Sequence, residues 1–280
     1  EDFLANAKVD QEAYSQYVAL TDKARKDEKL NQNANFSRLC LYGQYGPYNK
    51  ALNTPSVAEM QAKNPQELVD LVKGLKSYEH TLLYYGPSSA DEFAAVISKA
   101  HKTAKRLQAV PAAKPYAEQP TPQNEILLAP YEAKNIYMRM YHNEGRKWNP
   151  SQEPVVWMFN EYYGGGMNTV VFQELRESRA LAYSAWADYS TPSRLSDTES
   201  AYANIISQND KLMDCIRTFN NIIDTIPQSQ KAFDLARQSL MKKLASARTT
   251  KFDIITSYLA NQKLGIDYSI SEKVYQALPF

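Results

Sequence analysis

The stretch that decides the fold is Gly164–Ser184, which reads GGGMNTVVFQELRESRALAYS. It begins with three consecutive glycines, although the chain of 280 residues has only nine. A glycine-poor chain that places a third of its glycines together is expected to need special backbone geometry there. The residues that follow, 168–179, predict a helix, because Val171, Phe172 and Leu175 fall on one apolar stripe.

The segments on either side of this stretch predict an α+β fold. In chain order they indicate strands over 125–131 and 133–142, a helix over 151–163, strands over 181–189 and 200–207, and helices over 211–225, after Ser229 and over 252–264. Within the second strand, Ile136, Met138 and Met140 fall on one side. With the helix that follows the glycines, this order predicts an antiparallel β-sheet packed against helices, an α/β sandwich.

The part of the chain before residue 113 is predicted to be mostly helical. Helical patterns cover residues 10–35, the residues after Asn64-Pro65 and the residues after Ser89, which is spaced to form a capping box with Glu92. Between the last two helices, Thr81–Tyr85 is short and apolar and ends at a Gly-Pro pair, which predicts a buried strand.

A dense group of prolines separates the two parts of the chain. Four prolines lie within 111–122, and this density excludes a helix or a central strand. We therefore expect a Pro-rich linker over 113–124. It would divide a partial, mostly helical domain over 1–112 from an α+β domain over 125–280.

Composition and charge exclude several classes of protein. Hydrophobic residues make up 44% and charged residues 22% of the chain, which excludes a disordered chain and a coiled-coil rod. Its apolar runs are far shorter than the roughly 20 residues of a membrane span. The net charge of +1 gives no electrostatic reason to expect nucleic acid or an anionic membrane as a partner. Two cysteines, Cys40 and Cys215, are too few for a disulfide framework and leave the compartment undetermined.

The N-terminus of the sequence gives no information about targeting. The chain begins at Glu1 with no methionine and no signal peptide. We therefore expect a piece of a longer protein, and its lack of targeting signals is uninformative.

The motifs of several enzyme classes are missing from the sequence. The three histidines, His80, His101 and His142, do not have the spacing with which local motifs supply three ligands to a catalytic zinc. No Gly-x-Ser-x-Gly motif is present, and no cysteine has a histidine beside it. The three glycines lack the Lys-Ser/Thr pair of a phosphate-binding loop. The sequence therefore predicts no metal ligand and no covalent nucleophile.

One pair of polar residues remains as a candidate site. Arg176 flanks the buried stripe of the predicted helix, and Tyr183 lies early in the strand that follows. A guanidinium offers a fixed fork of donors and a phenol offers one hydroxyl, so the pair can bind a carbonyl oxygen or a developing oxyanion. The alternative is that Arg176 pairs with a nearby acid and that Tyr183 belongs to the core.

The same stretch resembles the C-terminal half of the pitrilysin/insulinase family of zinc metallopeptidases. The shared pattern is a glycine-rich turn, then Phe-x-x-Leu-Arg, then a variable stretch and Leu-Ala/Gly-Tyr. Here it comprises Gly164–Gly166, Phe172–Arg176 and Leu181–Tyr183, and the interval of seven residues from Arg176 to Tyr183 fits the family. The resemblance is strong over 125–264 and looser before that.

The resemblance implies a specific role for the chain. In this family two halves, each of two α+β domains, close around a peptide, and the zinc motif His-x-x-Glu-His lies in the first domain. This sequence has no such motif, so it resembles the half without zinc, whose partner is the N-terminal catalytic half of the same protein. Arg176 and Tyr183 match the positions that contact the peptide substrate at the scissile bond. Arg179 competes for the role of Arg176 but does not follow a leucine, and Phe172 is expected mainly in the core.

These implications leave three hypotheses open. The first is the substrate-binding half of a zinc-dependent endopeptidase, inactive as an isolated chain because zinc belongs to the parent enzyme. The second is a catalytically inactive structural or assembly partner of the same family. The third is an unrelated α+β scaffold in which the Arg/Tyr pattern is a coincidence. We also expect the isolated chain to expose an apolar patch and to self-associate.

Overall fold

The computed structural model describes residues 2–279, and it combines helices with one antiparallel sheet. The helices before the sheet are α1 Asp2–Asn6, α2 Gln11–Lys29, α3 Gln32–Tyr45, α4 Val57–Ala62, α5 Pro65–Gly74 and α6 Ala90–Ala100. The strands are β1 Asn135–His142, β2 Ala182–Ser190 and β3 Ser200–Gln208. The remaining helices are α7 Glu153–Tyr163, α8 Val170–Phe172 with its continuation Gln173–Glu177, α9 Leu212–Asp224, α10 Gln230–Ser246, α11 Lys251–Leu264 and α12 Ile270–Ala277. The predicted α+β class is confirmed.

The helix predicted over 10–35 is two helices. Asp10 caps α2 through a hydrogen bond from the backbone N–H of Ala13, and the helix ends before Leu30. Asn31 then has extended backbone angles and accepts the backbone N–H of Ala34, which makes it the N-cap of α3. The prediction was wrong because an asparagine with helix formers on both sides still stops one helix and starts another.

Two predicted strands are absent from the part of the chain that the structure describes. Residues 81–85 and 125–131 form neither a helix nor a strand. A strand needs a hydrogen-bonding neighbour, and no described strand runs beside either segment. In the second segment, Ile126 and Leu128 are 84% and 80% exposed. Their apolar alternation therefore does not come from pairing in a sheet.

The sheet has the order β1-β3-β2, and all its pairs are antiparallel. β3 is central, with Asn204 opposite Arg139 on β1 and opposite Trp186 on β2. The register between β2 and β3 shifts at Tyr183, because Ala182 pairs with Ser207 while Ser184 pairs with Ile206. This shift is a β-bulge, which inserts one extra residue into β2.

The core lies between the sheet and the helices on one of its faces. Buried apolar side chains come from α7 to α9 and from the strands: Tyr163, Val171, Leu175, Ala182, Ala185, Ala187, Ala203, Ile205, Cys215, Phe219 and Ile222. Met138 and Met140 of β1 pack against them, on the side that the alternation predicts. A second cluster joins α7, α10 and α12. The sequence did not predict α12.

The glycine turn is required for close packing. A Cβ atom added to Gly164 would overlap the carbonyl oxygen of Ala187 on β2. Gly164 also accepts a 3.3 Å hydrogen bond from the backbone N–H of Ala187. A Cβ on Gly166, by contrast, would meet no atom within 4 Å. None of the three glycines has a positive φ, and a Cβ on Gly165 would lie 2.9 Å from the carbonyl oxygen of Asn160. The end of α7 therefore needs space at Gly164 and Gly165.

Two backbone hydrogen bonds anchor the segment predicted as a linker, at Gln119 and at Thr121. The backbone N–H of Gln119 donates to the carbonyl of Gln44 on α3 at 2.7 Å. The backbone N–H of Thr121 donates to the carbonyl of Asn143, after β1, at 2.8 Å. The division at 113–124 remains a prediction. Across residues 2–279, no helix has the length and apolar character needed to cross a bilayer.

Candidate functional site

The helix that carries Arg176 changes its hydrogen bonding just where the residue lies. α8 continues as a π-helical turn over Gln173–Glu177, in which the N–H of Ser178 donates to the carbonyl of Gln173 at 2.8 Å. Leu175 is fully buried in the core, and Arg176, the next residue, is exposed. Such a widened turn is often found at functional sites, because it moves a side chain out of the regular helical position.

The connection from this helix to β2 has a second irregularity. Ala180 has a φ of +49°, a left-handed conformation that is uncommon for residues other than glycine. Its carbonyl accepts a 3.0 Å hydrogen bond from Nζ of Lys211. The N–H of Leu181 donates to the carbonyl of Leu175 at 2.9 Å, which closes the turn against the core.

Tyr183 is the extra residue of the β-bulge. Ala182 and Ala185 are both buried although they are three residues apart, because the bulge resets the alternation between them. The side chain of Tyr183 is 76% exposed, and its hydroxyl has no hydrogen-bond partner among residues 2–279. The alternative in which Tyr183 belongs to the core is therefore wrong.

The guanidinium of Arg176 contacts two aromatic rings. Its Cζ lies 4.9 Å from the ring centroid of Phe172 and 5.9 Å from that of Tyr183. Phe172 is half-buried, so its ring covers the core on one side and contacts the cation on the other. Cation–π contacts of this kind hold a guanidinium in place and leave its N–H groups available.

The two arginines of the stretch differ in their acidic partners. Nε and a terminal nitrogen of Arg179 both donate to one carboxylate oxygen of Glu174 at 3.3 Å. Arg176 has only a 3.8 Å contact between its Nε and the carboxylate of Glu177, too long for a hydrogen bond. Arg179 therefore donates to an acid. Arg176 forms a longer ion pair with Glu177, as the alternative predicts, but its guanidinium N–H groups donate to no described residue and are available to a ligand.

Arg176 and Tyr183 line a cavity at one end of the sheet. The cavity has a volume of about 330 Å³, and it lies where β1 and β2 begin and β3 ends. Its lining residues are Asn135, Arg176, Ala180, Leu181, Ala182, Tyr183, Gln208 and Lys211. Sequence reasoning identified Arg176 and Tyr183 but missed Lys211, because nothing in the sequence shows that the start of α9 lies beside the end of α8.

The residues do not fit a metal centre. Within residues 2–279, no group of three or more His, Cys, Asp or Glu side chains is placed to hold a metal ion. Nε2 of His80 lies 2.6 Å from Nε2 of His101, and His142 contacts Glu144 at 3.1 Å. These positions share no site with Arg176. The chemistry that the cavity offers is therefore hydrogen-bond donation by cationic and phenolic groups.

A family model and solved structures identify the class of protein to which this fold belongs. The family model of the peptidase M16 inactive domain matches residues 79–240, more than half of the chain. The chain belongs to this family, and the resemblance to the zinc-free half of pitrilysin/insulinase peptidases is confirmed. No curated protein sequence matches it.

Solved structures share the fold at low sequence identity. A peptidase M16 inactive domain from Pseudomonas fluorescens is 14% identical, with a TM-score of 0.64 over 95% of this chain and 64% of that chain. The periplasmic protease PqqL from Escherichia coli is 11% identical, with a TM-score of 0.68 over 97% and 30%. A chain of complex III2 from Candida albicans is 14% identical, with a TM-score of 0.58 over 99% and 66%. The chain thus spans about one to two thirds of the length of these proteins.

Proposed function

We propose that this chain is the substrate-binding part of a zinc-dependent endopeptidase. It forms a wall of the peptide chamber, and the N-terminal catalytic half of the parent protein supplies the zinc. The observation that carries the proposal is the placement of Arg176 and Tyr183 together at an open cavity, each exposed by a local irregularity of the backbone. Family membership supports a non-catalytic half of a protease.

The two side chains have complementary roles in this proposal. Arg176 donates from its guanidinium fork to a peptide carbonyl oxygen, and Tyr183 donates its hydroxyl to the same oxygen or its neighbour. Donors fixed before the substrate arrives stabilise negative charge that develops on the scissile carbonyl. The rings of Phe172 and Tyr183 supply that fixation, since they hold the guanidinium without neutralising it.

Kinetics of single variants test these roles. In the assembly of this chain with its zinc-bearing half, Arg176→Ala and Tyr183→Phe should each lower kcat for a peptide by about 10²-fold, the loss typical of one oxyanion donor. Arg179→Ala is the matched control, because Arg179 is already paired with Glu174. Equal losses in Arg176→Ala and Arg179→Ala would contradict the assignment.

One observation favours a second function, that of a catalytically inactive assembly partner. The chain is similar in fold to a chain of complex III2, a multisubunit assembly. A partner of this kind would bind its companion subunit stably and would not support hydrolysis. Arg176→Ala would then leave every property of the assembly unchanged, which separates this function from the first.

A further inference from the structure

The sheet face turned away from the core carries polar and aromatic side chains in rows. Each row has one residue from each strand, in the order β1, β3, β2. The row nearest the cavity is Tyr137, Ile206 and Ser184, the middle row is Arg139, Asn204 and Trp186, and the far row is Tyr141, Tyr202 and Asp188. The middle row holds an exposed cation in the interior of the face.

Arg139 is held in place but has no acidic partner. Its Nε donates to Oδ1 of Asn204 at 2.8 Å, and its Cζ lies 6.0 Å from the ring centroid of Tyr202. No acid in residues 2–279 forms an ion pair with it. An arginine fixed through Nε presents its terminal nitrogens as a fork, the geometry that binds a carboxylate with two hydrogen bonds.

Asn204 adds an unused donor beside this cation. The side chain is 92% buried, since its exposed fraction is 8%. A guanidinium only donates, so the carboxamide oxygen must face Arg139 and Nδ2 must point away from it. This buried Nδ2 has no hydrogen-bond partner in the described part of the chain. A buried donor without an acceptor is costly, and a bound ligand oxygen would remove that cost.

One side of this face is open. α3 covers the β1 side, where Phe36 packs edge-on against Tyr137 with ring centroids 5.6 Å apart. On the β2 side, Trp186 is 42% exposed and provides an apolar wall next to Asn204.

Two acids lie at the far row. Asp188 is two strands from Arg139, and Glu118 accepts the hydroxyl hydrogen of Tyr141 at 2.9 Å. Neither forms an ion pair with the fork.

We propose that Arg139, Asn204 and Trp186 form a subsite for an acidic side chain of the bound peptide. The inference rests on the proposed function, because it requires a peptide that reaches Tyr183. Trp186 is three residues along β2 from Tyr183, about 10 Å in an extended strand. The subsite therefore takes a residue about three positions from the scissile bond.

Gln44 and Glu118 cover the β3 and β1 members of the far row, Tyr202 and Tyr141, so the peptide follows the open β2 side past Trp186. A peptide that continues past the subsite reaches it with a side chain, so an acidic side chain is the carboxylate source.

Binding of matched peptides to the full chain tests the subsite. The probes are three fluorescein-labelled alanine-based octapeptides: one with an internal glutamate and an amidated C-terminus, the same peptide with glutamine, and an acid-free peptide with a free C-terminal carboxylate. Fluorescence anisotropy should give the glutamate peptide about tenfold or more higher affinity than the glutamine peptide. Arg139→Gln should bring this ratio to about one, and Arg139→Lys should leave an intermediate ratio because it keeps the charge but loses the fork.

Controls separate this inference from the proposed function. Arg217→Gln removes a cation from an exposed pair on α9 and should keep the full ratio. Tyr183→Phe should weaken both peptides alike, so the ratio survives even if the role proposed for Tyr183 fails. Equal affinities for glutamate and glutamine peptides, a ratio unchanged in Arg139→Gln, or tighter binding of the peptide with the free C-terminus would each overturn the inference. Circular dichroism verifies that every variant is folded.

Discussion

At the scale of single residues, the site depends on which arginine keeps its N–H donors available to a ligand. The motif alone distinguishes Arg176 from Arg179 by the leucine that precedes it. The structure adds a physical reason, because Arg179 is paired with Glu174 whereas Arg176 lies between two rings. The place of Lys211 and the surroundings of Arg139 were not predictable, since they depend on neighbours far away along the chain.

Two aspartates should give opposite pH dependences of stability. Burial raises the pKa of Asp188 on β2 above its ordinary value. A carboxyl with a raised pKa in the folded state destabilises the fold as pH rises through its unfolded value, about 3.9. Asp188→Asn should therefore raise the thermal midpoint at pH 7, and the gain should vanish as pH falls below that value.

Asp253 provides the opposite case. Its carboxylate accepts the backbone N–H of Thr250 at 2.8 Å in the capping box of α11, and this hydrogen bond lowers its pKa. Its contribution to stability is present above the unfolded pKa and is lost as pH falls through the folded pKa. Asp253→Asn should lower the thermal midpoint at pH 7, and this decrease should be smaller in acid. Unfolding curves from pH 3 to pH 7 check both variants, and shifts of the same sign would contradict the assignment.

At the scale of elements, the spacing of apolar residues and the positions of turn residues predicted most helices and the three strands that pair. β1, β2, β3, α7 and α9 lie within two residues of the predicted bounds, because their apolar periodicity and their turn residues agree. The failures were elements that depend on a partner or on backbone detail. Residues 81–85 and 125–131 lack a neighbouring strand, and the π-helical turn and the β-bulge have no signal in apolar spacing.

The glycine turn allows a direct test of element packing. Gly164→Ala should destabilise the fold by about 1–3 kcal/mol, because the new methyl group would overlap the Ala187 carbonyl and push α7 from β2. A loss of 1 kcal/mol corresponds to a fall of about 2–4 °C in Tm for a domain of 150–250 residues. Gly166→Ala is the matched control, because a Cβ there meets no atom within 4 Å. Equal shifts in the two variants, measured by thermal unfolding, would show that close packing is not the reason for the glycine.

At the scale of the whole molecule, the chain exposes more surface than a folded monomer of its mass. Its accessible area is 19,723 Å² for 31.8 kDa. A compact monomer of that mass exposes about 12,000 Å². Many large apolar side chains are exposed, including Ile126, Leu128 and Leu71. Such a surface favours association with a partner, as the proposed two-part assembly requires.

Sedimentation measures this tendency. The isolated chain should self-associate as its concentration rises, because its apolar surface has no other cover. Addition of the catalytic half should replace the self-associated species with a complex of one copy of each. A clean monomer at high concentration would contradict the interpretation of the exposed surface as an interface.

The central claim is that this chain contributes donors to hydrolysis but cannot catalyse it alone. Its most direct test is hydrolysis of a peptide in the presence of zinc, by this chain alone and by this chain with the catalytic half of its parent protein. The account predicts activity only in the mixture, with most of that activity lost when the chain carries Arg176→Ala. Hydrolysis by the isolated chain, or a mixture that associates stably and stays inactive, would contradict it.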